Sequence, residues 1–234
     1  MMGFDTLFES KKPIALVGGG PCLIDDLALA GQFTDCFIAA DGGADTLLVG
    51  GHQPQAVIGD LDSIGDTARR QIPNSAQFLI AEQDSTDFEK CLRHISAPLI
   101  LGLGFTGGRI DHQMAAFHAL LRYRHVRCIL LGPEDVLFLA PPELALDLPL
   151  ATRLSLFPMG PVAGHSEGLA WPIDGLNLAP DGKIATSNHT VGPVRLKFSG
   201  AQMLVILPRD CLQPALFALL ALSAPADLWP AADV

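Results

Sequence analysis

The chain has 234 residues, 49% of them hydrophobic, enough for a packed core in one large domain or two small ones, which excludes general disorder. A formal net charge of −10 and a pI near 4.9 argue against a nucleic-acid or anionic-membrane surface, since both need Lys and Arg to engage phosphates; a small-molecule partner fits better. Residues 1–12 lack a signal-peptide apolar region, and the most apolar late segment, 216–222, is too short to span a bilayer, so a cytoplasmic protein is expected.

Along the first 140 residues, short apolar runs alternate with longer helical patterns, which predicts a parallel sheet flanked by helices. Ligands bind such sheets beyond the carboxyl ends of the strands, and each run here is followed by a polar or glycine-rich motif. Ile14–Val17 leads to Gly18-Gly19-Gly20-Pro21, which lacks the G-x-G-x-x-G spacing and reads equally well as a tight turn. Phe37–Ala40 leads to Asp41-Gly42-Gly43-Ala44-Asp45 and a helix.

Ala56–Ile58, read as a buried strand, leads to Gly59-Asp60-Leu61-Asp62-Ser63. In an extended segment Asp60 and Asp62 would share a face and could share a cation, with Leu61 turned into packing; the alternative is an Asp-rich turn bonding nearby backbone N–H groups. Phe78–Ile80, also read as buried, precedes Gln83-Asp84-Ser85-Thr86-Asp87. Thr86 and Glu89 have capping-box spacing, placing Asp87 in the first turn of a helix through Lys90, Cys91 and Leu92. Capping accounts for Thr86 and Glu89 but does not require Asp84. Oxygen-only ligands such as Asp60, Asp62, Asp84 and Asp87 suit a hard cation, and Mg²⁺ is commonly held by one or two carboxylates plus substrate phosphates.

After Leu99–Leu101, the stretch Gly104-Phe105-Thr106-Gly107-Gly108-Arg109-Ile110-Asp111-His112 enters a helix with Met114, Phe117 and Leu121 on one face. Glycines, a helix N-terminus and the planar fork of Arg109 together suit phosphate. In the plainer account Asp111 is an N-cap, Arg109 a solvated charge and His112 a surface residue. Cys128–Leu131 is the last strand of this kind. The five cysteines form no C-x-x-C pair, and three lie in apolar runs or a helical pattern, so structural thiols are expected.

The pattern changes near Pro141-Pro142. Leu144–Leu148, Arg153–Phe157, Val194–Phe198 and Met203–Leu207 read as antiparallel β, followed by a helix from Leu212 to Leu222 and a Pro/Ala-rich end after Ser223 expected to fray. Two domains, 1–141 and 142–234, are expected. Trp171, in Gly168-Leu169-Ala170-Trp171-Pro172, could stack on a planar or cationic ligand or serve packing or a dimer contact; Thr186-Ser187-Asn188 could bond a heteroaromatic base or form a β-turn.

Taken in order, Asp41-Gly42-Gly43-Ala44, Ile58 to Ser63, Gln83 to Leu92, Gly107 to His112, Gly168 to Pro172, Thr186-Ser187-Asn188 and Gly200 to Ile206 resemble the thiamine pyrophosphokinase family. The resemblance implies an N-terminal Rossmann-like α/β nucleotide-binding domain, a C-terminal antiparallel β-sandwich, and a homodimer with shared active sites. It implies transfer of the diphosphate of ATP to the hydroxyl of thiamine, giving thiamine diphosphate and AMP. Asp60, Asp62, Asp84 and Asp87 would organise Mg²⁺ and the phosphates; Asp41, Lys90, Arg109, Asp111 and His112 would serve the nucleotide. Gln83, with Trp171, Ser187 and Asn188 from the partner subunit, would hold thiamine. Ala115-Ala116-Phe117-His118 departs from the Asn/Leu-rich start common in that family's helix. Two other readings are a diphosphokinase for another alcohol, such as a pterin alcohol, and a non-catalytic nucleotide- or thiamine-binding sensor.

Overall fold

Runs of consecutive apolar residues, buried at every position, build the first of two structural units, because strands covered on both faces have no polar side to alternate with. The structure is a computed structural model and describes residues 5–222 and 228–232. The first unit comprises Met1–Ala119 with Leu130–Gly132. It runs β1 (Phe8–Glu9), β2 (Ile14–Val17), α1 (Ile24–Ala30), β3 (Phe37–Ala40), α2 (Gly43–Val49), β4 (Ala56–Gly59), α3 (Asp66–Gln71), β5 (Gln77–Leu79), α4 (Asp87–His94), β6 (Ile95–Ser96), β7 (Ile100–Leu103), α5 (Ile110–Arg122) and β8 (Cys128–Leu131). The parallel pairs β2–β7, β2–β3, β3–β4 and β4–β5 set the order β7-β2-β3-β4-β5, with β8 beside β7.

Strands after β2 add on one side of it until β5, and β7 then returns to the other side. Such a reversal opens a crevice at the carboxyl ends of the central strands. Here the loops after β2 and β7 are joined by the Gly18 N–H on the Leu103 carbonyl (2.8 Å) and the Gly20 N–H on the Gly104 carbonyl (3.0 Å). Phe78–Ile80 does not form a buried strand. β5 has only β4 beside it within the sheet order, and Leu79 is 64% exposed, as an edge position permits.

Helix α2 packs so tightly that a Cβ on Gly43 would lie 1.9 Å from the Val17 carbonyl oxygen. The obstacle is backbone and cannot rotate away. Gly43→Ala is therefore expected to destabilise the fold by about 1–3 kcal/mol or more. Urea unfolding measures this, and an unchanged midpoint would show that α2 shifts without cost.

The second unit comprises Leu120–Ile129 with Pro133–Ala232. It contains β9 (Asp135–Leu139), β10 (Glu143–Leu146), β11 (Arg153–Pro158), β12 (Val162–Leu169), β13 (Asn177–Leu178), β14 (Ala185–Phe198), β15 (Met203–Pro208) and α6 (Leu212–Leu220). All its strand pairings are antiparallel, in the order β9-β15-β11-β14-β12-β13, with β10 also on β14. The last residues of α5 and the first of β8, within Leu120–Ile129, thus count with the second unit, as does β9, which pairs with β15.

Thr186-Ser187-Asn188 is not a β-turn. It lies within β14, where the register against β11 shifts: Leu154 faces Asn188, but Leu156 faces Ala185. Ser187 sits at φ 61° in this bulge and donates its N–H to Ser155 Oγ at 2.9 Å. Of the Pro/Ala-rich end, 223–227 and 233–234 lie outside the described residues. Among those described, no helix is long and apolar enough to cross a membrane, and all five cysteines are free.

Candidate active site

A cleft of about 810 Å³ opens at the carboxyl ends of the first unit's strands. Asp41 enters it from the end of β3, Asp60 from the end of β4 and Asp87 from the first turn of α4, so three separate chain segments deliver carboxylates to one place. One oxygen from each lies within 4.8 Å of the others. Hard divalent ions take oxygens at about 2.0–2.6 Å, so a set of this spread suits one ion.

Asp41 is buried, at φ 44°, and its Oδ2 accepts the Ser63 N–H at 3.2 Å. Its Oδ1 is buried with no hydrogen-bond partner, a costly arrangement that a cation would relieve. Burial pushes the Asp41 carboxyl above its ordinary value; hydrogen bonds from Ser63 oppose this, and the charges of Asp87 and Asp60 add to it.

Asp60 Oδ2 accepts a hydrogen bond from Gln83 Nε2 at 2.9 Å, which is the main reason its carboxyl lies below the usual range. Asp87 is placed by the capping box: the Glu89 N–H donates to Thr86 Oγ1 (3.2 Å) and the Thr86 N–H to Glu89 Oε2 (3.1 Å). Lys90, one turn on, has a side chain only 2% exposed, and its Nζ lies 3.0 Å from Asp87 Oδ1 and 3.6 Å from Asp60 Oδ2. Burial would lower the Lys90 ammonium, but the Asp87 hydrogen bond and the charges of Asp87, Asp60 and Glu82 outweigh it and hold the pKa above the ordinary lysine value. Lys90 is thus an internal counter-ion to Asp87 and Asp60.

Asp62 and Asp84 do not join this set. The segment at Asp60 is a turn, not an extended strand: Leu61 has φ 62°, its carbonyl accepts from Arg69, and the Asp62 N–H folds back to Asp60 Oδ1 at 3.3 Å. Asp62 is exposed and accepts the Ser63 hydroxyl at 2.8 Å. Asp84 is also exposed, and its N–H donates to Glu82 Oε2 at 2.7 Å.

Glu82 and Arg69 are organisers that residue patterns alone did not single out. The Glu82 carboxylate gathers the N–H groups of Asp84 and Ser85, the Ser85 hydroxyl and Arg93 of α4, so the loop bearing Gln83 is tied to the helix bearing Asp87. No short motif signals contacts of this kind.

The cleft is also lined by Gly108, Arg109, His112, Ala115 and Ala116. Arg109 is held by Asp111, Nε to Oδ1 at 3.1 Å and Nη2 to Oδ2 at 2.6 Å, and the pair is exposed. The Arg109 hydrogen bond brings the Asp111 carboxyl down to about 2. Helix α5 begins at Ile110, so Asp111 is inside its first turn instead of capping it, and its Oδ1 also accepts the His112 N–H at 3.0 Å.

In the second unit, Trp171 is 60% exposed, and its ring meets that of His189 edge-on with centroids 5.1 Å apart. Asn188 is buried beside it and Ser187 is exposed.

The chain matches the family model of the thiamin pyrophosphokinase catalytic domain over residues 30–131, a stretch that contains Asp41, Asp60, Asp87, Lys90 and Arg109. Over this stretch the chain is similar to the thiamine pyrophosphokinase family. A thiamine pyrophosphokinase 1 of Oryza sativa subsp. japonica is 29% identical over 185 residues, covering 64% of this chain and 70% of that protein. The thiamine pyrophosphokinase of Bacillus subtilis (strain 168) is 36% identical over 118 residues, covering 47% and 55%. The crystal structure of a Bacillus subtilis thiamine pyrophosphokinase superposes with a TM-score of 0.68 at 25% identity, covering 84% of this chain and 98% of that one. That of yeast thiamin pyrophosphokinase gives 0.71 at 18% identity, covering 87% and 88%, and supports the fold alone. The mixed sheet with helices is therefore the architecture of this family. The matched stretch ends before Trp171, Ser187 and Asn188.

Proposed function

We infer that this protein is a thiamine pyrophosphokinase, transferring the diphosphate of ATP to the hydroxyl of thiamine to give thiamine diphosphate and AMP. The observation that carries the reading is the Asp41, Asp60 and Asp87 set with its buried unpartnered oxygen, inside the stretch that matches the family's catalytic domain. Oxygen donors alone favour Mg²⁺, which when bound supplies charge neutralisation on the phosphates. Asp41, Asp60 and Asp87 would hold it, with Asp62 and Asp84 adding negative charge at the rim of the site. Lys90 keeps Asp60 and Asp87 together before nucleotide enters, and Arg109 and His112, which line the same cleft, meet the phosphates.

The thiamine hydroxyl oxygen bonds to the β-phosphorus as the bond to the α–β bridging oxygen breaks, so AMP leaves and the hydroxyl proton passes to a carboxylate or water. Such transfers depend on alignment and charge stabilisation, and no covalent nucleophile is needed. In this reading the first unit is the Rossmann-like catalytic domain, and the second is a β-sandwich through which a homodimer forms. Trp171, Ser187 and Asn188 of that second domain build the thiamine pocket against the other subunit's cleft. The thiazolium is a fixed cation, and an aromatic face attracts it by about 0.5–2 kcal/mol.

Incubation with thiamine, ATP and Mg²⁺ is expected to yield thiamine diphosphate and AMP, and chelation of the metal to stop it. Absence of both products with every nucleotide donor removes the reading; turnover of a pterin alcohol instead would reassign the acceptor. Trp171→Ala is expected to raise the thiamine KM roughly tenfold, about 1.4 kcal/mol, with the ATP KM kept. Equal loss of both affinities would make Trp171 a structural residue.

A further inference from the structure

We propose that Asn188 is a positioning residue that acts on thiamine through Trp171, clamping the tryptophan's backbone so that an exposed indole is held in one orientation. The proposal rests on the thiamine role of Trp171 inferred above. The Asn188 carboxamide is already committed. Its Oδ1 accepts the N–H of Trp171 at 3.1 Å and that of His189 at 2.9 Å, and its Nδ2 donates to the Trp171 carbonyl at 2.6 Å. Asn188 is only 3% exposed, so these bonds are made away from water. A carboxamide that satisfies both the N–H and the C=O of one residue substitutes for a neighbouring strand at a place where the chain, between Ala170 and Pro172, leaves the sheet. Pro172 cannot donate, and the last strand-like bond before it is the Ala170 N–H on the His189 carbonyl at 3.0 Å.

The bulge explains how Asn188 comes to face this loop. One extra residue of β14 is absorbed here, Thr186 and Ser187 together opposing Ser155, with Ser187 in the left-handed region and bonded to Ser155, and a bulge of this kind re-aims the side chain that follows it. His189 then supports the indole from its edge. A large aromatic left 60% exposed would ordinarily sample several rotamers. The clamp and the imidazole reduce that freedom, and a preorganised ring binds a planar cation with less ordering cost.

A double-mutant cycle tests this with the full chain, thiamine, ATP and Mg²⁺. Asn188→Ala is expected to raise the thiamine KM roughly tenfold while leaving the ATP KM within about twofold, and to add less than about twofold when Trp171 is already Ala. In a Trp229→Phe background, where Trp171 is the single tryptophan, Asn188→Ala should lower the indole's fluorescence anisotropy. Asn188→Asp keeps both acceptor bonds and loses the donor to the Trp171 carbonyl; it is expected to fall between wild type and Ala, and it carries the test if Ala does not fold. If Trp171→Ala leaves the thiamine KM unchanged, the pocket assignment fails. If Trp171→Ala raises it but the Asn188 effect adds in full, or Asn188 variants bind thiamine normally with unchanged anisotropy, the positioning role is overturned.

Discussion

Asp87→Asn is expected to lower kcat by about 10²–10³-fold while leaving the far-UV circular dichroism unchanged. The substitution keeps the shape and an acceptor oxygen for Lys90 Nζ, 3.0 Å from Asp87 Oδ1 in the wild type, so the lysine stays tethered and still faces Asp60 at 3.6 Å. What disappears is one of three negative charges around the proposed cation and a favourable charge at the start of α4, worth about 0.3–1 kcal/mol of stability. The Mg²⁺ concentration for half-maximal rate should rise as well. Asp62→Asn is the contrast: Asp62 is exposed beyond the turn at Leu61, so a loss under about tenfold is expected. Undiminished turnover in Asp87→Asn would mean that Asp87 serves only the helix start.

Lys90→Met should do the opposite, damaging stability before chemistry is considered. It leaves Asp60 and Asp87 beside buried Asp41 with no internal cation, and breaking a buried pair in this way costs about 3–5 kcal/mol. The sign of the pH dependence follows. Asp41 already has a carboxyl raised above 3.8, so over the window between 3.8 and its folded value the native state binds more protons than the unfolded one, and stability falls as pH rises through it. Asp60, depressed by Gln83 and Lys90 among others, contributes stability that is present above 3.8 and lost as pH falls through its lower value. Removing Lys90 shrinks the second effect and leaves the first in place. In EDTA the variant should therefore regain stability towards mildly acidic pH, and at pH 7 Mg²⁺ in large excess over its Kd should restore about 2.7 kcal/mol or more. Equal thermal midpoints for wild type and variant in EDTA at pH 7 would refute the counter-ion role.

Local composition determined a good deal of this protein. Ile14–Val17, Phe37–Ala40 and Cys128–Leu131 are strands at the expected bounds because an all-apolar run has no face to offer water, and Thr86 with Glu89 forms the predicted cap because both partners lie within one helical turn. The ordered motifs were sufficient to recognise the family. β12 and the first half of β14 were not legible, since strands carrying Gly164, His165, Glu167, Ser187 and Asn188 have their partners in distant strands and no alternation of their own.

Spacing along the chain reports which acids occur but not where their oxygens point. Asp41, read as a nucleotide residue, joins Asp60 and Asp87 because β3 and β4 are adjacent parallel strands and α4 starts over their ends. Asp62 leaves the set because Arg69, eight residues from Leu61, holds the intervening carbonyl in a left-handed turn. Lys90 became a counter-ion and Asn188 a clamp for the same reason. Each is defined by atoms within about 3 Å that folding brings from other segments, and the free energy of a charge or a buried amide depends on those neighbours instead of on its neighbours in sequence.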